Sequence, residues 1–197
     1  MNKRQAILDA ARRAFLNQGY SGASMEAIAE AAPVSKPTLY SHFHSKHELF
    51  AAVVADLRAS LTAAMDQVHT ERMDPITGLK AIASAFVELI YSPEALGFYR
   101  LLIAEQQNFP ELGPAAYRAS AEPVLSQLSD WLTGLGSQGL LQIDRVDVSS
   151  RLLVGMLKGD AHFRCLMGLQ TGLSAEEKQE LVDNAVGLFL RGHGHAD

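Results

Sequence analysis

Between Lys36 and His42 the chain carries an ammonium, two hydroxyls, a phenol and an imidazole, on Lys36, Thr38, Tyr40, Ser41 and His42. These groups hydrogen-bond and are not arranged for bond-breaking chemistry; their natural partners are base edges and phosphate oxygens. Ser35 precedes the row, and Lys46 follows it, placed to reach a phosphate with its ammonium. Leu39 and Phe43 stand at i, i+4 within the same stretch. A helix through it would bury that pair and leave the polar groups facing outward.

Such a row is useful only if the elements around it hold it still. Ile7, Ala11 and Phe15 recur at i, i+4, i+8 and give a first helix one apolar stripe, ending at Gly19. Ser24 is placed to cap a second short helix through Ala32 that buries Ile28 and Ala29. Ser35 caps the third, with Pro37 in its first turn, where a missing N–H costs little. Ser45-Lys46-His47-Glu48 reads as a capping box opening a long fourth helix to about His69. Two short helices joined by a tight turn, the second rich in small polar and aromatic groups, form a helix-turn-helix pattern, whose second helix can enter a major groove. The same residues also fit a three-helix packing unit with a polar surface.

The turn itself is unusual. It reads Ala32-Pro33-Val34-Ser35, and proline locks φ near −65° and biases the residue before it away from the helical region. The expectation is that the second helix ends by Ala31 or Ala32 and that Pro33 keeps φ near −65°.

Beyond the fourth helix, Asp74-Pro75 and Ser92-Pro93 each read as an N-cap followed by proline at the first helical position. Asp144 or Asp147 starts an apolar helix to about Gly168, and Ser174-x-x-Glu177 opens a last one to about Leu190. Sustained period-2 runs and hairpin turns are absent, so the expected fold class is all-α with about nine helices. Residues 191–197 read as a frayed tail, with His193 and His195 in it. The chain divides by expected role at 46/47: a helix-turn-helix domain over 1–46, and a ligand-binding and dimerisation domain over 47–197.

The bulk numbers fit. Of 197 residues 48% are hydrophobic and 20% charged, a globular composition. The net charge of −5 is uneven. Residues 1–50 hold six basic and four acidic groups, net +2; the remainder hold eleven and eighteen, net −7. No apolar run approaches the ~20 residues of a membrane span, and a single cysteine, Cys165, excludes an internal disulfide; a cytoplasmic protein is expected. No glycine-rich phosphate loop or Gly-x-Ser-x-Gly elbow occurs. His162 and Cys165 at i, i+3, and the cluster His42, His44 and His47, lack a full ligand set. Neither an enzyme nor a cofactor or metal site is expected.

In the body, Val148, Leu152, Leu153, Met156 and Leu157, and again Leu181, Val182, Ala185, Val186, Leu188 and Phe189, cover broad arcs. A helix apolar over a broad arc must bury two faces, one of which suits a partner chain or a central core. Phe98, Leu102, Gln106, Tyr117, Trp131 and Met156 combine aromatic, apolar and amide groups suited to lining a small-molecule pocket, and equally suited to core packing. Arg100, Glu105 and Arg118 can form structural pairs or hold an anion.

Four segments carry a resemblance. R-x2-I-L-x-A-A-x3-F from Arg4, G-Y at Gly19-Tyr20, S-M-x2-I-A-x2-A from Ser24, and V-S-K-P-T-L-Y-x-H-F-x-S-K-x-x-L from Val34 resemble the N-terminal domain of TetR-family transcriptional regulators. F-Y-R-L-L-I-A-E-Q-Q-N-F-P-E-L from Phe98 is similar to the C-terminal domain of an AefR-like branch. The resemblance implies a homodimer paired through its last two long helices, two recognition helices in successive major grooves of a palindromic operator, and a small-molecule effector bound by the body. It implies phosphate contacts from Tyr40 and Lys46, groove-facing positions at Thr38 and His42, and backbone contacts from Arg4 and the Ser24-Met25 helix start. It implies a repressor released by its effector; the alternative is a helical small-molecule-binding protein without specific DNA recognition. The departure is Pro33, where the family's turn usually reads A-G-V-S.

Overall fold

The computed structural model describes residues 2–71 and 73–194, with the side chains of 69–71 left out of the account. Among the described residues the fold is all-α, with no strand. Eleven α-helices run in order: α1 (Lys3–Gly22), α2 (Met25–Ala31), α3 (Lys36–His42), α4 (Lys46–Leu57), α5 (Ala59–Glu71), α6 (Pro75–Ile90), α7 (Pro93–Glu105), α8 (Leu112–Ala116), α9 (Glu122–Ser137), α10 (Val146–Leu166) and α11 (Ala175–Gly192). A π-helical turn, Tyr117–Ala121, joins α8 to α9. The expected fourth helix is divided into α4 and α5, which accounts for part of the excess over the expected nine. The expected fourth helix stops at Leu57, because Arg58 sits at φ −86°, ψ 2° and its N–H turns back to Ala55 O at 3.3 Å. The Arg58 guanidinium donates through Nε to Ala119 O at 3.0 Å. No glycine or proline lies near this break, so only the tertiary contact reveals it.

Two compact units emerge: residues 1–58 with 97–121, and residues 59–96 with 122–197. The first is organised around α1. Ile7, Leu8, Ala11 and Phe15 are buried on its stripe, against Ile28, Leu39, Leu49, Phe50 and Val53. Phe15, Tyr20, Phe50, Phe98 and Phe109 form a chain of ring contacts with centroids 4.9–5.8 Å apart. Arg12 pairs with Asp56 and ties α1 to α4. The end of α1 is bent at Gly19, whose φ of +73° and ψ of 173° suit only glycine, and a Cβ there would lie 3.0 Å from the Glu105 carboxylate. That carboxylate accepts the Ser21 N–H at 3.0 Å, so Glu105 has a structural partner.

In the second unit α6 is the centre. Leu79, Ile82, Ala83, Phe86, Val87 and Ile90 pack with Leu61, Met65 and Val68 of α5 and with Val182, Ala185, Val186 and Phe189 of α11. Gly78 admits the Trp131 ring, which a Cβ would meet at 2.7 Å. Asp74 caps α6 with 3.1 Å bonds from Ile76 N and Thr77 N. Ser92 Oγ caps α7 through Ala95 N at 3.1 Å, and Ser174 with Glu177 completes the capping box of α11. The expected cap of α10 is not made: its N-cap is Arg145, and Asp147 pairs with Arg145 while Asp144 plays no capping part. The helix also breaks at Gly159 (φ 51°, ψ −157°). There Tyr91 donates its hydroxyl to Lys158 O at 2.7 Å, with Leu157 O at 3.3 Å. The tail is firmer than expected through Gly194. α11 runs to Gly192, and His193 holds Ser149 Oγ at 2.9 Å with its other ring nitrogen 2.7 Å from Phe189 O. His195 lies outside the described residues.

Candidate nucleic-acid interface

α2 and α3 are each seven residues long, too short to be stable alone. They persist because Ile28, Ala29, Leu39 and Phe43 are at most 4% exposed in the first unit's core. Ser24 Oγ caps α2 through Ala27 N at 3.2 Å, and Ser35 Oγ caps α3 through Thr38 N at 3.3 Å. The N-terminal caps, the Pro37 ring in the first turn and the Leu39–Phe43 anchor fix the rotation of α3 about its axis. Its outer face is thereby set.

The turn between them departs from expectation. α2 does end at Ala31, with Ala32 as C-cap. Pro33, however, has φ +22°, not −65°. The cause lies in the bond that closes the turn. Val34 N donates to Ala29 O at 3.1 Å, the six-to-one bond of a Schellman motif, and that closure places the intervening residue at positive φ. The motif's second bond needs an N–H on residue 33, which proline lacks. The two buried anchors either side, Ala32 and Leu39, hold the ends of the turn, so the strain falls on the ring.

The row then takes shape. Lys36, Tyr40, Ser41 and His42 are exposed. Thr38 is half-buried, its Oγ1 2.8 Å from Ser35 Oγ, and Ser41 Oγ donates to Thr38 O at 2.8 Å. These hydroxyls are already engaged within the helix and retain acceptor capacity. Arg4 is exposed with its guanidinium 5.5 Å from the Phe43 ring centroid. Ser24 is exposed at the start of α2, whereas the Met25 side chain is buried, leaving its backbone N–H at the helix start. Lys46 is half-buried. Its ammonium donates to Tyr20 O at 2.8 Å and Ala23 O at 3.0 Å and lies 4.5 Å from the Tyr20 ring centroid, closing the end of α1. Burial, then the nearby Glu111 carboxylate, raises the Tyr20 phenol.

Sequence reasoning counted Glu26 only as a charge. In the structure it forms an ion pair with Lys36, joining α2 to α3. The Lys36 ammonium holds the Glu26 carboxyl below its usual range, and Glu26 in turn raises Lys36. No sequence pattern signalled this pair, since ten positions and a turn separate the partners.

The six candidate ligand residues are divided between the units. Phe98 is buried against Phe50 and Leu102 packs on the same core, while Gln106 and Tyr117 are exposed; all four belong to the first unit. Trp131 and Met156 pack, half-buried, on the core of the second. Among the described residues no group of three or more metal-binding side chains comes together, and no single helix is long and apolar enough to cross a membrane. The outer face of α10 and α11 carries Val148, Leu152, Phe163 and Leu188, which are 36–60% exposed.

A capped helix pair held by a shared core, with amine, phenol, hydroxyl and imidazole groups on the outer face of the second helix, defines a helix-turn-helix DNA-binding protein. Comparison with known proteins then fixes the kinship. Residues 7–53 match the family model of bacterial regulatory proteins of the tetR family. Residues 77–195 match the C-terminal domain of AefR-like transcriptional repressors. The chain belongs to the TetR family of DNA-binding transcriptional regulators, with an AefR-like C-terminal domain. The structure is similar to a TetR-family regulator from Mesorhizobium loti MAFF303099, at a TM-score of 0.81 and 31% identity, covering 98% of this chain and 96% of that one. It is also similar to the flavonoid-responsive regulator FrrA, at a TM-score of 0.73 and 26% identity, with 98% of both chains covered. In sequence it is 28% identical over 188 residues to the regulator SrpR of Pseudomonas putida, spanning 94% of this chain and 83% of SrpR. The activator FasR of Mycolicibacterium smegmatis is 39% identical over 88 residues, which is 45% of this chain and 40% of FasR.

Proposed function

We propose that this regulator is a repressor that binds a palindromic operator as a homodimer and is released by a small molecule. The observation that carries the reading is the exposed row of α3, anchored from behind by Leu39 and Phe43 and so presented in a fixed orientation. In the proposed complex α3 lies in the major groove, with Tyr40 on a phosphate and Thr38 and His42 toward base edges. Arg4 and the start of α2 meet the backbone. Lys46 contributes its charge from the first turn of α4.

Two copies pair through the apolar outer face of α10 and α11, where Leu152 and Leu188 would lose their contact with water. Half-sites of such dimers are about 34–36 Å apart. An effector that binds better to a form with another spacing of the recognition helices therefore weakens operator binding. The response of FrrA to a flavonoid supports a small-molecule effector here. Of the candidate ligand residues, the exposed amide of Gln106 and phenol of Tyr117 would supply polar contacts beside Phe98 and Leu102 in the first unit, while Trp131 and Met156 offer apolar ones in the second. The division by role at 46/47 and a cytoplasmic location belong to the same proposal.

The test is selection of a duplex from a random pool, followed by titration of selected and random DNA at several salt concentrations. A preference of several orders of magnitude for one palindrome is expected. Equal affinity for both would leave the alternative, a helical small-molecule-binding protein. Changes at Thr38 or His42 should alter sequence preference, whereas Tyr40→Phe should weaken binding to every sequence alike.

A further inference from the structure

We propose that Glu26 tunes the phosphate binding of the DNA-reading head: by pairing with Lys36 it keeps that ammonium from adding to sequence-independent phosphate binding. The inference rests on the operator-binding role proposed above, and deepens it.

Lys36 opens α3 and Glu26 lies in the first turn of α2, so the pair bridges the N-terminal ends of the two helices expected nearest the DNA. Lys36 Nζ lies 2.5 Å from Glu26 Oε1, and both side chains are 57% exposed. The Lys36 ammonium also lies 5.9 Å from the Tyr40 ring centroid, so it is held between a carboxylate and an aromatic face. The other cation of the row, Lys46, is bound to the carbonyls of Tyr20 and Ala23. The Glu48 carboxylate is likewise occupied, accepting the His44 N–H at 2.9 Å. Glu26 is thus the acid set against the leading cation of the recognition helix.

Binding to random DNA is driven almost wholly by release of counterions as cations neutralise phosphates. A lysine that already faces a carboxylate releases none, and the carboxylate itself repels an approaching phosphate. Binding to the right sequence draws in addition on hydroxyl, phenol and imidazole contacts, which the pair leaves untouched. The pair therefore removes about one phosphate contact from either complex and lowers affinity and salt dependence for both alike. Its exposed position means that it adds little to folding, so its consequence is felt on DNA.

The experiment compares the unaltered full-length protein with Glu26→Gln, Lys36→Gln, the double variant, and Glu30→Gln as a charge control on the same exposed face of α2. Each is titrated with the selected duplex and a random-sequence duplex across a salt series. Glu26→Gln should raise affinity for random DNA by roughly fivefold to tenfold at 0.1 M salt and steepen the log–log salt slope by about 0.9. Its gain on the selected duplex should be of the same size, so that the ratio of specific to random affinity is kept. The double variant should return to the original slope, and Glu30→Gln should change the slope by much less. An unchanged slope in Glu26→Gln, or an equal effect from Glu30→Gln, overturns the proposal while leaving the regulator reading standing. Absence of any sequence preference in the unaltered chain overturns both together.

Discussion

Pro33 shows how far one residue can be carried from its own preference. Its φ of +22° is roughly 85° from the angle its ring prefers. The surrounding turn keeps the six-to-one bond from Val34 N to Ala29 O and forgoes the second Schellman bond. Glycine would accept positive φ and supply the missing N–H. Pro33→Gly should therefore stabilise the protein by about 1–3 kcal/mol, as a raised midpoint in thermal or urea unfolding. An unchanged or lowered midpoint would mean that the turn in solution has relaxed to a form that suits proline. His162 is a second residue held away from its own preference. It is 5% exposed and edge-on to Tyr91 at 5.6 Å. Burial, and then the charge of Lys158, pushes its pKa down from 6.5 to about 4. The unfolded chain therefore binds the proton first. Stability from the neutral ring is complete above pH 6.5 and is lost as pH falls toward 4, by about 3 kcal/mol in all. His162→Gln should flatten the stability profile between pH 6.5 and 4.5, a range above the depressed carboxylates; a profile of the same slope would count against the burial argument.

At the scale of elements, caps and breaks decide where helices stop. The α10 break at Gly159 combines φ 51° with ψ −157°, a region open almost only to glycine, and no neighbouring atom lies within 4 Å of a Cβ built there. Gly159→Ala would thus be strained without being crowded. It should cost about 1–3 kcal/mol in urea unfolding, and a neutral result would show that α10 straightens readily. Tyr91 holds the same break from the outside, by donating to the carbonyl that the break exposes. The break after α4 is of another kind. Arg58 has no special backbone need, and its guanidinium is fixed by the Ala119 carbonyl. Residues 46–71 are therefore not one continuous helix; α4 and α5 are divided at Arg58.

At the scale of the whole molecule, the proposed dimer makes a clear demand. Leu152 is 59% exposed and Leu188 58%, so neither supports the fold of a single chain. Leu152→Glu with Leu188→Glu should leave helix content and single-chain stability within about 0.5 kcal/mol, as for other surface changes. The same variant should sediment as a monomer and lose most operator affinity, because two half-sites are then no longer bound together. A dimer that survives both charges would place the interface elsewhere. The uneven charge, +2 over residues 1–50 against −7 over the rest, favours approach of DNA to the N-terminal part of the chain.

Much of this was legible from residues alone, because it is governed by short-range rules. The period of Ile7, Ala11 and Phe15, the caps at Ser24, Ser35, Asp74 and Ser174, and the Leu39–Phe43 anchor each depend on neighbours within about four positions. Together they specify an all-α chain with a helix-turn-helix pattern at its head. The rest depends on partners far apart in sequence. The ammonium of Lys46 closes α1, Glu26 faces Lys36, Glu105 takes the Ser21 N–H and Arg58 reaches Ala119, and no local spacing encodes any of these. Pro33 marks the boundary between the two kinds of information. Its ring prescribes one angle locally, and the buried anchors on either side of the turn impose another, because moving Ala32 or Leu39 out of the core would cost more than straining one residue.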